Sequence, residues 1–218
     1  MEFAHWEPVY ERIVTDFGYD RAGDERARDL LAGYCDGHEP PAPAVAGATV
    51  AVAGAGPSLP DDIDTAVAAD AVFAASGAAE TLRERGVGVD VMVTDLDKVP
   101  ETAVTLTREG TPVAVHAHGD NVAVIEEYVP RMDGAWVVPT TQARPVPPVR
   151  NYGGFTDGDR AAFLADHLGA AEITFAGWDF DDPAVSAEKR RKLRWAARLL
   201  RWLEGRRGEQ VAVLDDRR

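Results

Sequence analysis

The chain is 218 residues long, 45% hydrophobic and 8% aromatic, enough apolar material to bury one sizeable core. Its 23 basic residues face 37 acidic ones, a formal net charge of −14, which argues against a nucleic-acid partner because phosphate neutralisation needs a clustered basic surface. No apolar run approaches the roughly 20 residues that span a bilayer, and the opening Met1-Glu2-Phe3-Ala4-His5-Trp6-Glu7 is acidic, so the expectation is a cytoplasmic protein with no membrane partner and no secretory signal.

In chain order, Glu7 to Phe17 and Asp24 to Cys35 come first, with apolar residues at helical spacing: Val9, Tyr10, Ile13, Val14 and Phe17, then Ala27, Leu30, Leu31 and Tyr34. They predict two helices whose apolar stripes cap the sheet or form a dimer contact, leaving a homo-oligomer open. The lone cysteine, Cys35, excludes an internal disulfide and a multi-cysteine zinc site. Residues 36–47 hold Pro40, Pro41 and Pro43 and predict a linker, so that 1–46 forms an N-terminal helical segment and 47–218 an α/β catalytic domain.

From Ala48 onward, β-rich runs alternate with helical ones. Strands are predicted over Ala48 to Ala53, Ala71 to Ala75, Val89 to Val93, Pro112 to His116, Ala135 to Val138 and Glu172 to Ala176. Helices are predicted over Asp61 to Ala69, Ala78 to Arg85, Val122 to Arg131, Asp157 to His167 and Ala184 to Glu204, and a last strand over Gln210 to Leu214. The alternation predicts an α/β fold, a mostly parallel Rossmann-like sheet with helices on both faces.

Chemistry in such a sheet gathers at the strands' carboxyl ends. The third strand delivers Asp95-Leu96-Asp97; carboxylates two apart on extended chain point the same way, and two such oxygens suit Mg²⁺. After the first strand, Gly54-Ala55-Gly56-Pro57-Ser58-Leu59 could let backbone approach a phosphate, although it completes neither the dinucleotide nor the Walker pattern. Ala75-Ser76-Gly77-Ala78 offers a second small-residue turn. The fourth strand ends in His116-Ala117-His118-Gly119-Asp120-Asn121, where Asp120 could join the metal or hold a substrate hydroxyl; the His-x-His spacing also suits zinc, without a supporting cysteine or H-E-x-x-H. A polar run, Asn151-Tyr152-Gly153-Gly154-Phe155-Thr156-Asp157-Gly158-Asp159-Arg160, opens the next helix, with Thr156 or Asp157 as its cap. Gly177-Trp178-Asp179-Phe180 follows the last inner strand and could cover a flat ring and read its edge.

In chain order, Gly54-Ala55-Gly56-Pro57-Ser58-Leu59, Thr94-Asp95-Leu96-Asp97, His116-Ala117-His118-Gly119-Asp120-Asn121, Gly153-Gly154-Phe155-Thr156-Asp157-Gly158-Asp159-Arg160 and Gly177-Trp178-Asp179-Phe180 together resemble the archaeal 6-hydroxymethyl-7,8-dihydropterin diphosphokinase family over essentially the whole chain. That family in turn resembles the thiamine pyrophosphokinase catalytic domain, whose Asp-Leu-Asp and Thr-Asp-x-x-Lys motifs become Asp95-Leu96-Asp97 and Thr156-Asp157-Gly158-Asp159-Arg160 here. Lys98 stands where the thiamine enzymes have serine, and their C-terminal β-domain has no room, which disfavours thiamine as substrate.

The resemblance implies Mg²⁺-dependent transfer of diphosphate from ATP to the pterin hydroxymethyl group, with release of AMP, in tetrahydromethanopterin or folate synthesis. On this reading Asp95, Asp97 and Asp120 hold the metal, and Asp157 orients the attacking hydroxyl beside the catalytic Asp95 and Asp97. Gly54, Gly56, Ser58, Arg160, Lys192 and again Asp120 serve the nucleotide, with Lys189 an alternative cation. Asn151, Thr156, Trp178 and Asp179 receive the pterin. Two other readings stay open, a sugar-nucleotide-dependent glycosyltransferase and a non-catalytic nucleotide-binding module. The acidic surface, with only three lysines (Lys98, Lys189 and Lys192), resembles that of halophilic archaeal proteins, in which molar salt screens self-repulsion.

Overall fold

The computed structural model describes residues 1–35, 37 and 43–217; half of the predicted proline linker, at 36 and 38–42, lies outside the described residues. In chain order the elements are α1 (Phe3–Phe17), α2 (Arg21–Tyr34), β1 (Thr49–Ala53), α3 (Ile63–Val67), β2 (Ala71–Ala75), α4 (Ala78–Glu84), β3 (Val91–Thr94) and α5 (Pro100–Arg108). Then come β4 (Val113–Ala117), α6 (Val122–Tyr128), β5 (Val137–Thr141), α7 (Asp157–His167), β6 (Glu172–Ala176) and α8 (Ala187–Arg207). The fold is α/β with parallel strands, and no helix among the described residues is long and apolar enough to cross a membrane.

The chain forms two compact units, the first from Met1–Pro43 with Val91–Gly153, the second from Ala44–Asp90 with Gly154–Arg218. In the first, β4 lies between β3 and β5, in register Met92 with Val113 and Val113 with Val137. All three strands are buried throughout, as parallel strands covered on both faces must be. Helix α1 contributes Trp6, Tyr10 and Ile13, each at most 1% exposed, at the i, i+4, i+7 spacing of a single face. Helix α2 packs on β4 and β5, but its buried face is not the purely apolar stripe predicted. Ala27 and Leu31 share it with Asp24 and Arg28, while Tyr34 is exposed. Buried polar groups need partners, and Arg28 donates from Nη1 to the carbonyl of Arg144 at 2.8 Å.

The first unit also contains a helix that the sequence reading left unassigned, α5. Its threonines and valines hide it, yet Pro100 at the first turn, Glu101 beside it and Arg108 in the last turn are helix signals. The predicted strand over Ala135 to Val138 moves downstream: Gly134–Trp136 is a 3-10 turn and β5 carries Pro139, tolerated because β5 has a strand neighbour on one side only.

In the second unit β1 lies between β2 and β6, with Val50 beside Ala71 and Ala53 beside Ala176. Helix α7 packs on β1 and β2 and against α8, and α3 covers β1 and β6. The strand predicted over Gln210 to Leu214 is not formed: Ala212–Arg217 is a 3-10 helix. Alternation in Val211-Ala212-Val213-Leu214 suggested a strand, but Gly208 ends α8 at φ 67° and the buried pair is Val211 with Leu214, three apart, the 3-10 repeat.

Candidate active site

In the first unit, β3 ends at Thr94, and the acidic pair follows on a turn rather than on the extended chain expected, so the two carboxylates do not share a strand face. Leu96 takes a left-handed φ of 67° and is 1% exposed. That conformation costs a non-glycine residue about 1 kcal/mol, offset here by burying the leucyl side chain. Its N–H donates to Thr94 Oγ1 at 2.9 Å, and the Asp97 N–H donates to Asp95 Oδ1 at 3.3 Å. The turn thus anchors inward through Leu96 and sets Asp95 half-buried and Asp97 exposed. One carboxylate oxygen of Asp95 and one of Asp97 lie within 4.8 Å of each other. Oxygens sharing one Mg²⁺ stand about 3 to 4 Å apart, so the pair fits that ion with a small adjustment.

The loop after β4 is tied to this turn. Asn121, 3% exposed, donates from Nδ2 to the carbonyls of Asp95 at 2.8 Å and His116 at 2.7 Å, and its Oδ1 accepts the His118 N–H at 3.0 Å. His118 Nε2 lies 3.4 Å from Asp95 Oδ2, and His116 Nδ1 lies 3.1 Å from Thr140 Oγ1. The two histidines therefore face different partners. Asp120 is exposed and, with Tyr19, Asp24, Arg26, His118 and Gln142, lines a cavity of about 250 Å³. Beneath it, Tyr10 donates to Asp24; burial first, and that carboxylate second, push the Tyr10 phenol well above its ordinary value. Asn151, expected to read a ring edge, spends both amide hydrogens on the carbonyls of Gln142 and Ala143, at 2.9 Å each, and accepts the Gly153 N–H. Its amide is fully engaged in holding its own loop.

In the second unit, the Gly54 and Gly56 amides donate to the carbonyls of Ala176 and Gly177 at 2.8 and 2.9 Å. A Cβ on Gly54 would meet the Gly177 oxygen at 2.6 Å, and one on Gly56 would meet Asp179 Oδ2 at 2.2 Å. These glycines are needed for contact with the loop after β6, a demand additional to the phosphate approach expected from their spacing. Ser58 donates its N–H to Asp179 Oδ2 at 2.9 Å and its hydroxyl to Asp62 Oδ2 at 3.0 Å, and Asp62 also accepts the Gly177 N–H. Asp62, absent from the sequence reading, is a third member of this clasp. Trp178 donates its indole N–H to the Val52 carbonyl at 3.0 Å and stands edge-on to Phe175. Its six-membered ring leaves no room for a side chain at Gly158, where a Cβ would approach to 2.7 Å.

Helix α7 begins at Asp157, capped by Thr156. Asp159 is fully buried and accepts the N–H groups of Phe155 at 2.6 Å and Thr156 at 2.9 Å, together with the Thr156 hydroxyl. Burial raises the Asp159 carboxyl above its ordinary value, against the pull of these hydrogen bonds and of Arg160. Arg160, 7% exposed, pairs with Asp157 at 2.9 Å through Nη1, while its buried Nε has no hydrogen-bond partner among the described residues. Ser76 repeats that feature at the end of β2: φ 46°, 4% exposed, and a hydroxyl without a partner among the described residues. Lys192 pairs with Glu188 one turn away on α8 at 3.2 Å, and Lys189 supplies the N–H that caps on Ser186.

The chain is a parallel α/β protein with paired carboxylates on a strand-end turn, the edge at which such sheets carry ligands. Its residues 38–184 match the family described as 6-hydroxymethylpterin diphosphokinase MptE-like, and the chain belongs to that family. It is 39% identical to a 6-hydroxymethyl-7,8-dihydropterin pyrophosphokinase of Methanothermobacter thermautotrophicus, over 94% of this chain and 96% of that one. Proteins of the same name from Pyrococcus furiosus and Methanocaldococcus jannaschii are 37% and 31% identical, each over 94% of this chain and 95% and 96% of theirs. Among solved structures, a Maf glycosyltransferase from Magnetospirillum magneticum matches at 19% identity and a TM-score of 0.47, over 78% of this chain and 29% of that one.

Proposed function

We propose that the protein transfers the terminal diphosphoryl group of ATP to the hydroxymethyl oxygen of 6-hydroxymethyl-7,8-dihydropterin, forming the pterin diphosphate and AMP, and that this step serves tetrahydromethanopterin or folate synthesis. The observation that carries the reading is the 39% identity, over nearly the full length of both chains, to a protein named for pyrophosphorylation of this pterin.

In this reading Asp95 and Asp97 hold Mg²⁺, with Asp120 a third ligand, direct or through water. When bound, the ion neutralises charge on the phosphate oxygens. Asp157 orients the attacking hydroxyl; an ionised carboxylate is too weak a base to remove an alcohol proton ahead of bond formation. Arg160 offers its partnerless Nε to a phosphate oxygen, where the planar guanidinium suits forked contact, and the Ser76 hydroxyl is a further donor of the same kind. Lys192 would exchange its Glu188 partner for phosphate. Gly54, Gly56 and Ser58 present a side-chain-poor edge to the nucleotide. Thr156, Trp178 and Asp179 are assigned to the pterin, and Asn151 to support of the loop it already braces.

The test is AMP formation from ATP and Mg²⁺ in molar KCl, with and without the pterin, with products resolved by chromatography. Pterin-dependent AMP matched by pterin diphosphate is the expected result. Release of a nucleoside diphosphate from a sugar nucleotide, or nucleotide binding without turnover, would overturn the reading.

A further inference from the structure

Asp24 lies in the first turn of α2, a place where a carboxylate ordinarily faces water and complements the helix dipole. Here it is 2% exposed. Burying a carboxylate costs several kcal/mol unless donors replace the lost water, and three do. Its Oδ2 accepts the Tyr10 hydroxyl at 2.7 Å and Gln142 Nε2 at 2.8 Å, while its Oδ1 accepts the Gly119 N–H at 2.8 Å. The two backbones also touch at this point. A Cβ on Gly23 would meet Gly119 Cα at 3.3 Å, and one on Gly119 would meet Gly23 Cα at 3.2 Å. Gly119 sits between His118, whose Nε2 lies 3.4 Å from Asp95 Oδ2, and Asp120; two residues on, Asn121 donates to the Asp95 carbonyl.

We infer that Asp24 is a positioning residue for the transfer reaction, holding the His118–Asn121 loop through the Gly119 N–H and, through that loop, the Asp95 carboxylate. Helix α2, which carries Asp24, thereby acts on the site through this loop. The inference rests on the reading of Asp95 as part of the phosphoryl-transfer machinery. Displacing a reacting group by about 1 Å costs on the order of a hundredfold in rate, so the Gly119 amide, which bonds this loop to α2, is a sensitive point.

The test compares Asp24→Ala, Asp24→Asn and Tyr10→Phe in the full chain, in molar KCl, below the melting temperature of each. Asparagine keeps an acceptor for Gly119. Tyr10→Phe removes a donor to the same carboxylate without touching the loop. Asp24→Ala is expected to lower kcat by about thirty- to a hundredfold with the KM for ATP changed less than about threefold. Asp24→Asn should recover most of that loss, and Tyr10→Phe should lower the melting temperature with kcat unchanged. A parental kcat in Asp24→Ala, or an equal loss in Tyr10→Phe, would overturn the inference. Should Asp24→Ala fail to fold, Gly23→Ala, whose methyl presses on Gly119, is expected to show the same kcat loss, and an unchanged kcat there would overturn it. Mn²⁺ binding to the protein alone supplies a second readout, expected to be about tenfold weaker in Asp24→Ala and unaltered in Tyr10→Phe. If the unsubstituted protein binds Mn²⁺ but makes no AMP, the diphosphokinase reading falls, and equal Mn²⁺ affinity in Asp24→Ala would sink the positioning role independently.

Discussion

The turn after β3 and the turn after β1 follow buried strands of parallel sheets, and both stood out in the sequence, yet opposite physics builds them. At Asp95-Leu96-Asp97 the apolar residue is swallowed, and the carboxylates on either side of it remain half-buried and exposed. At Gly54 to Ser58 the hydrogen bonds run inward, to Ala176, Gly177, Asp179 and Asp62, and the glycines yield their space to the neighbouring loop. The first turn uses a tolerable backbone strain to leave two carboxylates accessible. The second uses the absence of side chains to make a tight joint. A motif at a strand end therefore marks an interesting position without saying whether function or packing required it.

The contrast predicts a separation of activity from stability. Asp97→Asn should reduce AMP formation about a thousandfold, equivalent to about 4 kcal/mol of lost transition-state stabilisation, while the unfolding midpoint in high salt stays put, because an exposed carboxylate in an acidic protein adds little to the fold. A large stability loss with activity retained would make the β3 turn a joint like its counterpart. Gly56→Ala should act on the fold first. A methyl meeting Asp179 Oδ2 at 2.2 Å and the Gly177 oxygen at 2.5 Å cannot be absorbed without parting the two loops, at a cost on the order of 3 kcal/mol by denaturant unfolding. A stable Gly56→Ala protein with weakened nucleotide binding would show that the nucleotide, and not the joint, requires the glycine.

The smallest expected effect concerns Asp159 under the Thr156 cap. A carboxyl whose value is raised in the fold holds its proton more tightly there than in the unfolded chain. Its contribution is therefore fully present below the ordinary value of 3.8 and is lost as pH rises from there through the raised folded value. Asp159→Asn, which cannot ionise, should flatten that part of the stability profile measured by denaturant unfolding at a series of pH values. An unchanged slope would show that the hydrogen bonds from Phe155 and Thr156 cancel the effect of burial.

Much of the scaffold was legible because its signals are local. The runs at Ala71–Ala75 and Glu172–Ala176 and the helix Asp157–His167 form where composition and capping residues put them. Misreadings arose where one local pattern admits two periods, as at Val211 to Leu214, or where helix signals sit among β-branched residues, as in α5. The candidate site divides similarly. Asp95, Asp97, Asp157 and Arg160 were visible as chemistry-bearing residue types in strand-end and helix-start positions. Asp24, Asp62, Ser76 and Asn121 were not given roles, since an aspartate early in a helix or a serine in a small-residue turn looks like solvated surface until its partners are known.

The sequence by itself determined the class of fold, most of its elements and the family, because hydrophobic period, turn residues and motif order are properties of neighbours along the chain. Tertiary structure alone decided which polar groups are exposed and which are consumed. Burial and hydrogen-bond partnership depend on residues such as Gly119 and Gln142, 95 and 118 positions away from the Asp24 carboxylate they engage, and no local pattern encodes that meeting.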